Sequence, residues 1–292
     1  MRLLALLVCL LCLSVAQAQV RPYDDILDSG VLKVAVYENF APYSFREEGR
    51  ARGVDVDLAR ALADGLGLKL ELLWVVPGEK LDDDLRNFVW KGHYLRPGVL
   101  ADVMLRVPYD RDFSQKRNDV GELANEQVVM FGPYQRERWQ VAYDSRRLPE
   151  VPSIGVFQFH PIGVELESVP SFYLTSVFAG RLSRNTHHYP GPAAAFEGMR
   201  KGEVDAVMAL RGELDWLEHQ AHDPQIRDAD STYPNLGEPD WDIGMAVHES
   251  NRQLANALEE TLDGMVRDGR MEKLYAGYGL HYELPGLYQD VQ

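Results

Sequence analysis

Residues 30–59 read GVLKVAVYENFAPYSFREEGRARGVDVDLA. Within them Val31 to Tyr37 is a short β-branched run, and the Pro-containing segment Phe40 to Phe45 turns it into a loop. A helix follows from Asp55. Leu58, Ala59, Leu62, Ala63 and Leu66 recur at the spacing of one helical face, and Gly67 closes it. Leu68 to Val75 then supplies a second strand. Strand-like and helix-like patterns alternate from here on, which places the chain among α/β folds.

Working outward, Leu81 to Trp90 is expected to be helical and Ala101 to Val107 an apolar strand. Gln127 to Phe131 opens another segment, which Gly132-Pro133 should end. The pattern then restarts: Ser153 to Phe157 as a strand, Pro170 to Ala179 and Ala193 to Arg200 as helices, Val204 to Leu210 as a strand. The halves echo each other. Lys91-Gly92 leads into Ala101-Asp102-Val103-Met104-Leu105, and Lys201-Gly202 leads into Asp205-Ala206-Val207-Met208-Ala209-Leu210. Two α/β lobes of similar construction are implied. Near the C-terminus, Leu254, Leu258, Leu262 and Met265 share a helical face, with Gly269 beyond it.

The chain has 292 residues, of which 46% are hydrophobic, enough for a substantial core or two. Its 45 acidic residues against 30 basic ones give a formal charge of −15, which argues against binding nucleic acid through phosphates. Residues 1–18 have the layout of a secretory signal: Arg2, an unbroken apolar run from Leu3 to Leu13, and Ala16-Gln17-Ala18 at the cut. The run is too short to span a bilayer, and no small residue precedes either cysteine as lipidation needs. Cleavage after Ala18 removes Arg2, Cys9 and Cys12, leaving a mature chain one unit more negative and without thiols. Such a protein must hold together by core burial, with no integral membrane segment.

The segments Gly30 to Val34, Phe40 to Phe45 and Gly53 to Ala59 resemble the opening of bacterial extracellular solute-binding proteins of family 3. Further resemblances fall in the expected order at Phe131 to Tyr134, Gly202 to Val207, Ile243 to Val247 and Val266 to Gly269. The resemblance implies a two-lobed periplasmic binding protein type II fold with an interlobe cleft. Residues 21–133 and 240–292 would form a discontinuous lobe one, and residues 134–239 lobe two. Ligand would lie in the cleft, where strand ends and helix starts converge.

By position in that plan, Tyr37, Glu38, Asn39 and Tyr43 follow the first strand into the cleft, offering stacking and orienting groups. Arg106 and Arg111, with Tyr109 between them, could grip a carboxylate. The family's Thr-x-x-Arg arrangement is absent, so the choice of arginine stays open. In lobe two, Gln158 and His160 stand where the family has a small hydroxyl residue. Leu210 and Arg211 stand where amino-acid binders end a strand with an aspartate that pairs with the ligand's ammonium. An apolar residue cannot neutralise an ammonium, so no ordinary α-amino acid is expected.

Asp84 to Val89, Ala101 to Met104, Val107-Pro108 and Tyr189-Pro190 resemble a narrower branch, the solute-binding-like proteins encoded beside PQQ-dependent methanol and alcohol (quinoprotein) dehydrogenases. Departing from it, Leu210-Arg211-Gly212 replaces Trp-Gly-Pro, and Trp90 to Pro97 and Ser114 to Asn125 read as insertions. Elsewhere, Asp215, His219 and His222 share a helical face but are read as solvated rather than metal-bound. His187-His188 are read as a surface loop, and Asp82-Asp83-Asp84 as N-terminal capping of a helix. No nucleophile-elbow, phosphate-loop or zinc-protease motif occurs.

Three functions compete. The first expectation is a non-catalytic, periplasmic accessory of a quinoprotein dehydrogenase and its cytochrome, using the cleft for a partner segment or a small molecule. The second is the substrate-binding subunit delivering a small-molecule ligand to an ABC permease. The third is a periplasmic dehydratase on the same scaffold, with a cleft acid such as Glu38 as general acid. No cofactor or metal is expected, and the chain alone is read as a monomer.

Overall fold

The structure is a computed structural model that describes residues 19–96 and 98–289. The expected export signal, residues 1–18, lies outside the described residues. No described helix is long and apolar enough to cross a membrane.

After a helix at Tyr23–Ser29, strand β1 (Val31–Tyr37) leads through a loop into the hairpin β2 (Phe45–Glu47) and β3 (Arg50–Arg52). Helix Val54–Gly65 returns the chain to β4 (Lys69–Val75). A short helix Leu81–Leu85, continued by one π turn to Trp90, precedes β5 (Val103–Pro108). The 17-residue β6 (Val128–Asp144) follows. Beyond it come β7 (Ile162–Glu165), helix Val169–Gly180, β8 (Thr186–Tyr189), helix Pro192–Lys201, β9 (Ala206–Leu210), helix Arg211–Ala221 and β10 (Ile226–Asp228). The chain then returns through β11 (Asp240–His248) to helices Arg252–Arg267 and Arg270–Ala276.

Among the described residues one large sheet runs β4-β1-β5-β11-β6-β9-β7-β8, with β10 also paired to β6. Parallel pairs occupy its two wings, β4, β1 and β5 on one side and β9, β7 and β8 on the other. Antiparallel β11 and β6 join the wings. Strand β6 pairs with β11 as far as Arg138 and with β9 from Trp139 onward. One strand therefore belongs to both wings, which gives the two-lobed fold its crossing.

Gly132-Pro133 does not end a segment, as the residues suggested, because β6 runs through it as a bulge. Gly132 takes φ +56°, and the β6–β11 register shifts opposite it, between Ile243 and Met245. A side chain there would be strained by that φ and would press on the Met245 methyl. A second bulge falls at Arg106 (φ +61°), left over between Leu105, paired with Met245, and Val107, paired with Gly244. It reverses the alternation of β5. Val103 and Leu105 face one core, while Met104 and Val107 face the core on the other side of the sheet.

Each wing is packed on both faces, as parallel strands require. The larger core of the first wing lies under the Val54–Gly65 and Arg252–Arg267 helices and buries Leu58, Leu62, Leu254, Leu258, Leu262 and Met265, the residues whose spacing marked both helices. Truncating any of these leucines to alanine should cost about 2–5 kcal/mol. The second wing divides its apolar side chains between cores around Phe157 and Leu174 and around Phe196 and Met199.

Four local expectations need correction. Ile154–Gln158 is a short 3₁₀ turn, not a strand. His187-His188 lie in the edge strand β8, not a loop, and His188 Nε2 is 3.0 Å from Ser171 Oγ. The helix from Val169 loses helical backbone at Val177, with Phe178 and Ala179 at positive φ. The Asp82 to Asp84 triplet opens its helix without a side-chain cap, and Asp84 instead accepts hydrogen bonds from Gly78 N and the Tyr37 hydroxyl.

Candidate ligand-binding cleft

Four strands, one from the first wing and three from the second, end at one place. The residues just past β1 (Asn39, Phe40, Ala41), at the end of β7 (Glu165), past β8 (Pro190 to Ala193) and at the end of β9 (Leu210) converge on two adjoining cavities of about 410 and 130 Å³. The cavities share Phe40, Glu165, Pro192 and Glu213. Trp216 lines the larger and Trp139 the smaller. The carboxyl ends of parallel strands are where open α/β sheets bind ligands. A cavity of about 770 Å³ under the C-terminal segment, between Asp263 and Tyr288, is larger but touches no strand end.

Beneath the cavities lies a closed polar network. The Arg106 guanidinium donates to both Asp55 oxygens (2.6 and 2.9 Å) and to Gln135 Oε1 (3.0 Å), and only 7% of the residue is exposed. Its strained backbone is held in place: the Arg106 N–H donates to the Tyr134 hydroxyl, which donates to Asp55 Oδ1. Gln135 passes the chain on, donating to Glu137 Oε2 at 2.9 Å and accepting from the Tyr275 hydroxyl at 2.7 Å. The Tyr43 hydroxyl also donates to Glu137, and the Arg106 guanidinium lies over the Tyr43 ring. Asp55 sits in the first turn of the Val54–Gly65 helix, where the helix dipole favours a carboxylate.

The other wall is the N-terminus of the Arg211–Ala221 helix. Glu213 sits in its first turn and accepts the Leu210 N–H at 3.2 Å. Burial pushes the Glu213 carboxyl up to about 8, with the charges of Glu165 and Glu137 adding and that of Arg106 opposing. Burial also raises Glu165. Among the described residues neither acid has a salt-bridge partner. Tyr43 meets this helix at Gly212, where an added Cβ would lie 2.4 Å from the Tyr43 hydroxyl oxygen, so only glycine allows the approach. Next along, Trp216 packs at 5.8 Å from Phe45 and 6.0 Å from Tyr278, ring centre to ring centre.

The residues singled out from sequence scatter over four places. Asn39 and Leu210 line the cavities, with Tyr43 and Arg106 just beneath. Arg106 is not among the lining residues of either cavity, and Asp55 and Gln135 bond its Nε and Nη2. Arg211 likewise turns away, donating to Glu283 at 2.5 Å and to the carbonyls of Arg136 and His281. Tyr37 bonds Asp84, and Glu38 is not among the lining residues. Tyr109 and Arg111 line a separate cavity of about 480 Å³ beside the polar insertion. Gln158 accepts from Asn185 through its carbonyl, and His160 Nδ1 is 2.9 Å from Asp205, both away from the cleft. Asp215 accepts the His281 N–H, and no described group of three or more His, Cys, Asp or Glu is placed to hold a metal ion.

Sequence reading missed Phe40, Glu137, Trp139, Glu165, Glu213 and Trp216. For Glu213 a signal existed, a glutamate three residues past a strand end at a helix start.

Residues 32–87 match the family model of bacterial extracellular solute-binding proteins, family 3. Over 112 residues, 36% of this chain, the sequence is 38% identical to a cyclohexadienyl dehydratase of Pseudomonas aeruginosa, and the match spans 42% of that relative's length. In three dimensions the chain is similar to an ancestral cationic amino acid solute-binding protein (TM-score 0.67, 19% identity, covering 87% of this chain and 98% of that one). It is also similar to an amino acid ABC transporter substrate-binding protein of Streptococcus pneumoniae bound to L-arginine (TM-score 0.59, 17% identity, 89% and 98%). The fold is that of the two-lobed periplasmic binding proteins, and residues 32–87 carry the signature of the family 3 solute-binding proteins.

Proposed function

We propose that this chain is an exported solute-binding protein that holds a small molecule in its interlobe cleft and presents it to an ABC importer. The lobes would be residues 21–133 with 240–292, and residues 134–239, as the sequence suggested. One observation carries the reading: four strand ends converge on adjoining cavities walled by aromatic side chains and a few polar ones, which is the make-up of a small-molecule site. Family 3 similarity and the likeness to importer binding proteins support it. A melting screen over amino acids, amines and small carboxylates tests it, because a ligand at a hundred times its dissociation constant stabilises by about 2.7 kcal/mol. No shift with any solute would refute it.

A second reading, dehydration of a cyclohexadienyl substrate, is favoured by the 38% identical segment and by Glu213. A carboxyl that keeps its proton near neutral pH suits general-acid help to a departing hydroxyl. Glu213 lines the cavities and replaces Glu38 as the acid this reading would use. Loss of water from the substrate, followed by mass spectrometry and abolished in Glu213→Gln, tests it. The quinoprotein-dehydrogenase role rests on the resemblance at residues 84–108 and 189–190 alone. No relative described above is of that kind, and co-purification with a dehydrogenase is its test.

A further inference from the structure

Charge in the cleft is one-sided. Glu165 and Glu213 line both cavities, and among the described residues no Lys, Arg or His lines either. Every arginine expected to receive a ligand carboxylate is engaged elsewhere. Arg106 is ion-paired with Asp55 and bonded to Gln135 through Nε and Nη2, Arg211 is ion-paired with Glu283 and bonded to two carbonyls, Arg111 lines a different cavity, and none of the three lines the cleft cavities.

Three helix N-termini reach the cavities and are the other anion-attracting features here. The Val169–Gly180 helix is closed by its own cap, Ser168 Oγ accepting the Ser171 N–H, with Pro170 lacking an N–H, and the other two already face carboxylates. The Pro192–Lys201 helix opens with a residue that has no N–H, and Glu165 Oε1 lies 3.9 Å from where a Cβ on Gly191 would stand. The Arg211–Ala221 helix has Glu213 in its own first turn. A solute carboxylate entering the cleft would meet two acids and no counter-charge.

What the walls do offer is the chemistry of cation recognition. Phe40, Trp139 and Trp216 supply aromatic surface, and two carboxylates stand beside it without a cation. We infer that the cleft binds a small organic cation, an amine or a guanidine, that carries no carboxylate, with Glu165 and Glu213 as its counter-charges. This rests on the solute-binding reading and narrows it. Binding would draw a proton off Glu213, so complex formation near neutral pH should release a proton to the buffer.

Matched pairs that differ only by a carboxyl group test the inference by titration calorimetry on the full mature chain: agmatine against arginine, cadaverine against lysine, phenethylamine against phenylalanine. The expected result is that in at least one pair the decarboxylated member binds at least about tenfold more tightly, since an unpaired buried charge is the penalty on its partner. Its enthalpy should change with the ionisation heat of the buffer. Glu165→Gln and Glu213→Gln should each weaken it by about tenfold or more while leaving circular dichroism unchanged. If in every pair the amino acid binds as tightly or more tightly, the inference is overturned and the solute-binding reading stands. If nothing in these pairs binds, the inference is likewise overturned, and the importer reading then stands or falls on the wider melting screen.

Discussion

Two charged clusters lie within one side chain's length of each other, and they are built to opposite plans. Below the cleft, Arg106, Asp55, Gln135, Glu137, Tyr43, Tyr134 and Tyr275 bond one another, with Arg106 paired to Asp55 and Glu137 held by hydrogen bonds from Tyr43, Gln135 and the Arg138 N–H. At the cleft wall, Glu165 and Glu213 stand without a cationic partner among the described residues. The lower cluster specifies structure, since its members need nothing from solution. The upper one is unfinished, and burial raises both of its carboxyls, Glu213 to about 8. An arginine near a binding cleft is therefore no evidence of anion binding until its partners are counted.

The largest effect should come from opening the saturated cluster. Asp55→Asn leaves the Arg106 charge buried and uncompensated, and should cost about 3–5 kcal/mol in urea unfolding. Replacing both partners, Asp55→Leu with Arg106→Met, should recover most of that loss. Equal cost for the double variant and the sum of the singles would show that the two residues do not act as a pair. Retained solute affinity in the double variant would separate this cluster from the ligand site.

Next in size is the contact that joins the two clusters. Gly212→Ala should gain helix propensity of up to about 1 kcal/mol, but its new methyl would press on the Tyr43 hydroxyl. The net result should be a loss of about 1–3 kcal/mol, with weaker solute binding because the helix carrying Glu213 must shift. Adding Tyr43→Phe should cost less than the two single losses together, measured by thermal unfolding. A stabilised Gly212→Ala protein would break the account of this contact.

How much of this could be read from the sequence depends on how local each feature is. The Val54–Gly65 and Arg252–Arg267 helices were legible because their buried faces recur along a single segment. Strand β6 was not, because Gly132 and Pro133 are ordinary breakers, and only the pairing with β11 turns them into a bulge. That misreading hid Glu137 and Trp139, which lie on the continuation. Arg106 was found, but its occupation by Asp55, 51 positions away, has no local mark. In lobe two, attention fixed on the strand-end residue Leu210, while the acid that faces the cleft comes one helical turn later as Glu213.

The unfinished cluster should show itself in the pH dependence of stability. Glu213 has its pKa raised by burial from 4.5 to about 8 in the folded protein. Its proton is thus held more tightly folded than unfolded, so its contribution is full below about pH 4.5 and is lost as pH rises through about 8. Glu213→Gln cannot lose a proton. Relative to the parent it should gain stability across that window, roughly 2 kcal/mol by pH 6 and more as pH rises toward 8. Glu218, also pushed up to about 8 by burial and by Asp228, stays in both proteins and cancels from the difference. A constant difference from pH 4 to 9 would mean that Glu213 is solvated and not part of an enclosed site.

Glu283 gives the smallest effect and the opposite sign. Burial alone would raise its carboxyl, but hydrogen bonds from Arg138 and Arg211 and their charges outweigh this and bring it below the usual range. A lowered carboxylate contributes stability that is present above the unfolded value of 4.5 and is lost as pH falls through the folded one. Glu283→Gln should therefore cost about 1 kcal/mol at pH 7, since Arg138 is partly exposed and its share is screened. The cost should shrink toward zero as pH falls below 4.5 and through the lower folded value, where the parent loses its own charge, and urea midpoints at several pH values would show it. If the two glutamate variants instead trended in the same direction with pH, the distinction between an answered and an unanswered carboxylate would fail, and with it the reason for expecting a cation in the cleft.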